Sequence, residues 1–215
     1  MACARCGGSG FIDRGGVLEL CDCRYEVNLT RYLNIPPRFE PASFENYVPV
    51  SPSQKKALEV CKLYALTFDP KEGRGLTLIG PPQMGKTHLA VALLKAVYKE
   101  KKIRGLFFDT KDLFYRLQSY AGTERYEKLI RAVLHVPLLV LDDLGSERLS
   151  DWRIETLSHI ISHRYNYLKS TIITTNYPLM RQSSEEIARA LEERLSPAIV
   201  GKITQANETV YLMEV

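Results

Sequence analysis

Residues 80 to 87 carry the most specific chemical pattern in this sequence. They read Gly-Pro-Pro-Gln-Met-Gly-Lys-Thr, which fits the phosphate-binding spacing G-x-x-x-x-G-K-[ST]. The two glycines let the backbone wrap around a polyphosphate, so that successive N–H groups and a helix N-terminus face the anion. Lys86 would reach the β- and γ-phosphates, and Thr87 would hold Mg²⁺. The predicted nucleotide contacts are Gly80, Pro81, Pro82, Gln83, Met84, Gly85, Lys86, Thr87 and His88.

The segments on either side of this loop supply the structural context that the pattern needs. Residues 75–79 are apolar and predict a buried strand, and residues 88–98 predict a helix. An ordinary glycine turn before a helix is the alternative interpretation. The order strand, glycine loop, helix favours the phosphate loop.

A second pattern, a pair of acidic residues after an apolar segment, follows about sixty residues later. Residues 137–141 form an apolar strand that ends in Asp142 and Asp143. This is the Walker B pattern, in which Asp142 would hold Mg²⁺ and Asp143 would orient or deprotonate the attacking water. Asp143 stands where a glutamate is more usual and is one methylene shorter, so we expect slow hydrolysis. A turn or a helix cap is the alternative for an acid pair in isolation.

Two further polar residues stand where they could complete this site. The β-branched segment 171–175 ends in Asn176, and the carboxyl ends of parallel strands face the ligand. Asn176 could therefore bind the γ-phosphate or the water, or it could be a turn asparagine before Tyr177-Pro178. Arg194 lies on a helix predicted to open with a capping box at 183–186, where it could simply complement the helix C-terminus.

Four of the five cysteines lie within the first 23 residues. They are Cys3, Cys6, Cys21 and Cys23, with glycine-rich turns and a predicted hairpin (11–12 with 17–20) between them. Four thiolates form a closed, structural type of Zn²⁺ site, and so small a segment needs such a staple to fold. Disulfides, redox thiols and plain buried cysteines are the alternatives. Cys61 stands alone and is predicted to be a core residue.

Composition places the chain among globular proteins. Of its 215 residues 45% are hydrophobic and 25% charged, with a net charge of +4. The first 48 residues hold five arginines and six acids, so any attraction for nucleic acid should lie on the remainder. No apolar run is long enough to span a bilayer and no signal-peptide core is present, which predicts a cytoplasmic protein without a membrane partner.

The remaining pattern predicts three units: a four-cysteine zinc-binding module at 1–25, a linker at 26–51 and an ATP-binding domain at 52–215. Phe44 and Tyr47, in the linker, could pack on the domain or touch adenine. Helices are predicted at 53–68, from 109 or 110 onward, at 126–134 and from 150 onward, and strands at 102–108, 199–203 and 209–213. The histidines at 159 and 163 are interpreted as surface residues because no acid accompanies them at metal-ligand spacing.

The motifs together resemble AAA+ ATPases, most closely the DnaC/DnaI-type bacterial helicase loaders, with the IstB-type transposition helpers nearby. The two phosphate-site motifs, residues 142–148, residues 171–177 and Glu193-Arg194-Leu195 carry this resemblance, which covers about residues 44–213. It implies an α/β P-loop NTPase fold with a parallel five-stranded sheet between helices. Because the chain ends soon after residue 213, we expect little or no helical lid.

The resemblance also implies roles for particular residues. Asn176 falls at sensor 1, and Arg194 falls at the arginine finger that acts on a neighbouring subunit's ATP, which implies an ATP-bound homo-oligomer. A serine often precedes the finger, where this chain has Glu193. The region 111–134 falls where loaders contact single-stranded DNA, with Lys111, Arg116, Lys128 and Arg131 as candidates. Solvated surface charges are the alternative for each of them.

Three functions compete on this basis. The first is ATP-dependent loading of a replicative helicase hexamer onto single-stranded DNA, with ATP, Mg²⁺ and structural Zn²⁺ as cofactors. The second is a transposition helper that binds duplex DNA and a transposase. The third is a metabolic P-loop kinase, which Asn176 and Arg194 argue against. The cysteine module favours the loader, because IstB-type helpers usually begin with a helical segment.

Overall fold

A five-stranded parallel sheet forms the centre of the computed structural model, which describes residues 6, 9, 11–16, 18–21, 29–146, 150–180 and 190–213. The strand order is β4-β5-β6-β3-β7, and each neighbouring pair is parallel. This confirms the predicted α/β fold class. The strands are β3 (Gly75–Ile79), β4 (Gly105–Asp109), β5 (Leu138–Asp142), β6 (Ser170–Thr175) and β7 (Asn207–Tyr211).

Helices cover both faces of this sheet. In the described part of the chain, none of them combines the length and apolar character needed to cross a bilayer. Helix starts follow the local sequence. Ser51 is the N-cap of the helix that begins at Pro52 and forms a capping box with Gln54, and the Asp109 side chain caps the helix after β4. The helices are α1 (Leu29–Tyr32), α2 (Pro52–Thr67), α3 (Lys86–Lys101), α4 (Thr110–Ser119), α5 (Glu124–His135), α6 (Asp151–Asn166), α7 (Leu191–Arg194) and α8 (Pro197–Ala206), with a 3₁₀ turn at Pro37–Phe39.

A short antiparallel hairpin lies between the cysteine pairs. Its strands are β1 (Phe11–Asp13) and β2 (Leu18–Leu20), with Ile12 opposite Glu19. Gly15 and Gly16 between them have φ values of 70° and 91°, which glycine adopts without strain. The predicted hairpin is therefore confirmed.

The two faces of the sheet have separate apolar cores. Alternate residues of a strand point to opposite faces, so Leu138 and Val140 join the core under α2 and α3, while Leu139 and Leu141 join the core under α4 to α8. All five residues of β3 and of β5 are buried. A parallel sheet covered on both sides needs such continuous apolar strands, which is why the sequence indicates them so clearly.

The segment between residues 29 and 50 lies along the edge of the sheet and over α3. The Phe107 N–H of edge strand β4 donates to the Leu33 carbonyl at 2.8 Å, and the Asn34 amide donates to the Phe107 carbonyl at 2.7 Å. Lys95 on α3 donates to the carbonyls of Glu40 and Ala42, both at 2.8 Å. The described residues of the predicted linker thus cover one sheet edge and reach the phosphate loop.

A buried arginine connects several elements at the end of the sheet where strands β5 and β6 begin. Arg164 on α6 is 1% exposed. Its guanidinium donates to the carbonyls of Val133 and Val136 at 2.7 and 2.9 Å, and to that of Ser170 at 2.6 Å. It therefore joins α6 to the end of α5 and to the start of β6.

Two predicted elements are wrong. The helix predicted to run from the capping box at 183–186 to Arg194 is interrupted, because Ala190 has an extended backbone (φ −63°, ψ 158°) and precedes the separate helix α7 as its N-cap. The sequence pattern predicts a strand at 199–203, but these residues lie in α8. Ser196 accepts from the Ile199 N–H and Pro197 occupies the first turn, so Ser-Pro opens a helix here. The β-branched residues of this segment bury one helical face, with Ile199, Val200 and Ile203 all under 3% exposed. Tertiary burial overrides their strand propensity.

Candidate nucleotide-binding and hydrolysis site

The phosphate loop runs from the end of β3 to the first turn of α3. Gln83 and Gly85 have φ values of 66° and 82°, so the chain turns twice through the left-handed region before the helix starts. A Cβ atom on Gly85 would lie 2.6 Å from the Tyr47 ring, and one on Gly80 would lie 2.0 Å from the Leu212 carbonyl oxygen. Close packing therefore requires glycine at both positions of the motif, and the positive φ of Gly85 favours it further.

Lys86 is held inside this loop. It is 7% exposed, and its Nζ donates to the carbonyls of Gly80 and Pro81, each at 2.7 Å. Burial lowers the pKa of Lys86, while the carboxylates of Asp142 and Asp143 oppose that shift. A buried ammonium group bonded to neutral carbonyls is well suited to exchange them for an anionic oxygen.

Residues of the connecting segment and of α2 support the loop from outside. The Tyr47 hydroxyl and the Gln54 amide both donate to the Met84 carbonyl, at 3.1 and 3.2 Å. The His88 ring lies 2.8 Å from the Ser43 carbonyl and 5.3 Å from the Tyr47 ring. Tyr47 thus packs beneath the loop, whereas the side chain of His88, a predicted nucleotide contact, bonds the connecting segment.

Thr87 and Asp142 meet at the start of α3. The Thr87 hydroxyl lies 2.9 and 3.1 Å from the two Asp142 carboxylate oxygens, and the Thr174 hydroxyl lies 2.5 Å from one of them. Burial raises the pKa of Asp142 to about 6, although both hydroxyls favour its carboxylate form. A hydroxyl and a carboxylate beside a phosphate loop are the hard oxygen donors that Mg²⁺ prefers.

Asp143 follows with its backbone in the left-handed region. Its φ is 56°, and its N–H donates to the Thr174 hydroxyl at 2.9 Å. The Asn176 amide donates to its carboxylate at 3.2 Å, and the Lys111 Nζ lies 3.8 Å from the same group. The surrounding hydrogen bonds maintain this positive φ in a non-glycine residue.

Arg194 lies beyond the turn that follows Asp143. Its Nε donates to the Gly145 carbonyl at 2.5 Å, and its guanidinium carbon lies 4.4 Å from the centre of the Tyr177 ring. The structure thus gathers Lys86, Asp142, Asp143 and Asn176 at one edge of the sheet, and Arg194 close beside them. All of these were candidates from sequence.

The predicted DNA-contacting cations are distributed over α4 and α5. Arg116 pairs with Asp112 and Lys128 with Glu124, both at 2.7 Å within one helix. Arg131 is exposed. Lys111 differs from the others because it reaches the Asp143 carboxylate, so it lies between this helical surface and the phosphate site.

The zinc prediction falls largely outside the described residues. Cys3 and Cys23 are not described, while Cys21 is buried and Cys6 partly buried. Within the described part of the chain, no three His, Cys, Asp or Glu side chains are arranged to enclose a metal ion. Structural zinc therefore stays a prediction. Residues 147–149 and 181–189, which include the predicted capping box, also lie outside the description.

Sequence reasoning missed some of the supporting residues. Thr174 contacts both Asp142 and the Asp143 N–H, yet the sequence marks it only as part of a β-branched strand. Its position two residues before Asn176, on a strand next to β5, was the available signal. Gln54 gave no signal, because its contact with the phosphate loop depends on how α2 packs against α3.

This fold and site define a P-loop NTPase of the AAA+ type. A family model for IstB-like ATP binding proteins matches residues 21–212. The chain belongs to this family, within its DnaC/DnaI-type AAA+ branch.

The similar proteins include helicase loaders and a putative insertion sequence ATP-binding protein. A crystal structure of a DnaC helicase loader superposes with a TM-score of 0.75 and 50% identity, covering 82% of this chain and 99% of that one. The replicative helicase loader DnaC of Escherichia coli K12 is 28% identical over 167 residues, 75% of this chain and 64% of that protein. A putative insertion sequence ATP-binding protein of Sinorhizobium fredii is 38% identical over 105 residues, 48% of this chain and 42% of that protein. The chain thus spans less than two thirds of these curated relatives.

Proposed function

We propose that this protein binds and slowly hydrolyses ATP in order to load a replicative helicase onto single-stranded DNA. The observation that carries the proposal is the single edge where Lys86, Thr87, Asp142, Asp143 and Asn176 meet, in a chain that matches a DnaC helicase loader over 99% of that structure. Cytoplasmic action and assembly into an ATP-bound oligomer are part of the same proposal.

The residues suggest how hydrolysis proceeds. Lys86 exchanges its two carbonyl partners for β- and γ-phosphate oxygens of ATP. Thr87 and Asp142 would hold Mg²⁺, which when bound neutralises charge on the phosphates. Asp143 accepts a proton from the attacking water, and Asn176, 3.2 Å from it, fixes the direction of that carboxylate. Arg194 of a neighbouring subunit would stabilise charge on the transferred phosphoryl group.

DNA and helicase contacts belong to other surfaces. We propose that Lys111, Arg116, Lys128 and Arg131 contact the phosphates of single-stranded DNA. Because Lys111 also lies 3.8 Å from Asp143, DNA that draws Lys111 away would alter the environment of this carboxylate. The cysteine module at 1–25, folded on Zn²⁺, would dock the helicase, with residues 26–51 joining it to the ATP-binding domain at 52–215.

ATP hydrolysis with and without single-stranded DNA and a replicative helicase tests this function. We expect hydrolysis that either partner changes and that Lys86→Ala abolishes. A helicase pull-down by the full chain and by a Cys3→Ser/Cys6→Ser variant tests the docking module, with Cys61→Ser as the matched control. Activity indifferent to both partners would overturn the loader function, and equal capture by all three proteins would overturn the docking role.

A transposition helper is the second candidate, favoured by the 38% identity to an insertion sequence ATP-binding protein. A helper would bind duplex DNA in preference to single strands and would not retain the helicase. Filter binding with matched single- and double-stranded oligonucleotides separates the two functions. We expect tighter binding of the single strand, and a preference for duplex would favour the helper.

A further inference from the structure

The short segment after β6 connects the hydrolytic carboxylate to Arg194. Asn176 donates to the Asp143 carboxylate, while the next residue, Tyr177, presents its ring to the Arg194 guanidinium at 4.4 Å. Consecutive residues of one segment thus contact the carboxylate of this chain's own site and the arginine proposed to act on a neighbour's ATP.

The turn after β5 connects the same two groups by a second route. Residues 143–146 form a turn closed by the Ser146 hydroxyl on the Asp143 carbonyl at 3.1 Å, and its Gly145 carbonyl accepts from Arg194 Nε. Gly145 has a φ of 86°, and a Cβ there would lie 2.5 Å from a Leu191 methyl group. The positive φ favours glycine at this position, and the missing Cβ leaves room for the Leu191 side chain of α7, the helix that ends in Arg194.

Hydrogen bonds join the two routes into one unit. The Leu144 N–H donates to the Thr174 carbonyl at 2.9 Å, and the Thr175 hydroxyl donates to the Leu144 carbonyl at 2.8 Å. The Tyr177 N–H donates in turn to the Thr175 hydroxyl at 3.2 Å. The Gly145 carbonyl and the Tyr177 ring, which both contact Arg194, are therefore held by one hydrogen-bonded unit.

We propose that Tyr177 is a positioning residue for Arg194. The inference rests on the proposed action of Arg194 on a neighbouring subunit's ATP. An aromatic face can orient a guanidinium without adding an opposite charge.

The predicted effect of Tyr177 is on turnover, not on ATP affinity. We expect Tyr177→Leu to lower kcat by about three- to thirtyfold, the contribution typical of a cation–π contact, with an unchanged Kd for a fluorescent ATP analogue. Tyr177→Phe keeps the aromatic face and should stay within about threefold of the wild type. Tyr177→Met, which keeps bulk but not the ring, replaces the leucine variant if that variant does not fold.

Mixing variants of the full chain tests the proposal. Lys86→Ala lacks a working phosphate loop but keeps its Arg194, so adding it to Tyr177→Leu should restore hydrolysis at the sites of the leucine variant. Adding Arg194→Ala should not restore it, since neither partner then places an arginine. Arg194→Ala mixed with Lys86→Ala is the control for action between subunits.

The outcomes distinguish the action of Arg194 between subunits from the role of Tyr177. If the Arg194→Ala control is not rescued, the action of Arg194 between subunits fails, and this inference fails with it. If the control is rescued but Tyr177→Leu keeps full activity, or is not itself rescued, the role of Tyr177 is overturned while that action stands. Rescue of both by Lys86→Ala, with retained activity of Tyr177→Phe, is the expected result.

Discussion

Two buried cations at opposite ends of the parallel sheet show how the same chemistry serves structure or function. Arg164 is 1% exposed and Lys86 is 7% exposed, and both donate to main-chain carbonyls. Burial lowers the pKa of each, that of Arg164 to about 9. The difference lies in what they bond and in whether those partners can be exchanged.

Arg164 has partners that are fixed by separate elements. Its carbonyl acceptors lie at the end of α5 and at the start of β6, and the Thr171 hydroxyl is 2.9 Å from its Nε. Lys86 bonds two consecutive carbonyls of a single loop, beside Asp142 and Asp143. A cation with a complete, rigid set of partners stabilises the fold, whereas one held by a few replaceable partners is ready for an anionic ligand.

The largest expected effect is on Arg164. Arg164→Met leaves three buried carbonyls without this donor, at about 1–3 kcal/mol each, so we expect a loss of roughly 3–6 kcal/mol in the free energy of unfolding. Urea denaturation measures it. Arg131→Met, on the exposed side of α5, should change stability by less than about 0.5 kcal/mol. Equal stability of the two variants would contradict the structural role of Arg164.

Lys86→Ala should lower ATP hydrolysis strongly and change the stability of the fold only slightly. We expect ATP hydrolysis to fall by about 10²- to 10³-fold, as for loss of one preorganised charge-stabilising group. The free energy of unfolding should change by no more than about 1 kcal/mol, because removal of a buried charge offsets its two hydrogen bonds. Lys99→Ala, exposed near the end of the same helix, is the control. A loss of stability as large as that of Arg164→Met would erase the distinction between the two cations.

Asp142→Asn tests whether the buried, ionised carboxylate of Asp142 lowers the stability of the fold. The raised pKa of Asp142 means that the folded chain binds its proton more tightly than the unfolded chain, so ionisation at neutral pH costs stability. In EDTA at pH 7.5 we expect the variant to be about 1–3 kcal/mol more stable, a gain that disappears near pH 4 where the wild type is also protonated. Thermal denaturation across this pH range measures it. A difference that does not change with pH would show that burial of the carboxylate charge is not its cause.

The smallest effect concerns the support beneath the phosphate loop. Tyr47→Phe removes one of two hydrogen bonds to the Met84 carbonyl, worth about 0.5–1.5 kcal/mol. We expect ATP to bind about two- to tenfold more weakly, since the loop is held less firmly. Titration with a fluorescent ATP analogue measures this. Tyr32→Phe, on the partly exposed α1, should leave the affinity unchanged.

Sequence reasoning located the candidate site residues better than the residues that support them. Asp142, Asp143 and Asn176 could be proposed because each ends an apolar strand, and parallel strands bring their carboxyl ends to one edge. Gln54 could not be placed, and Tyr47 could only be proposed to pack on the domain or touch adenine, because they reach Met84 across 30 and 37 positions of the chain. Residues 199–203 were mistaken for a strand because β-branched composition outweighed the Ser-Pro start of a helix.

The sequence by itself determined the phosphate loop and the acid pair, because each depends on short-range spacing next to a continuous apolar strand, and its resemblance to AAA+ ATPases implied the five-stranded α/β class. The tertiary structure alone decided that Lys111 reaches Asp143, that Arg164 closes the far end of the sheet, and that Tyr177 faces Arg194. These contacts join residues that are far apart in the chain or on different elements. They depend on how helices pack on the sheet, which local pattern does not encode.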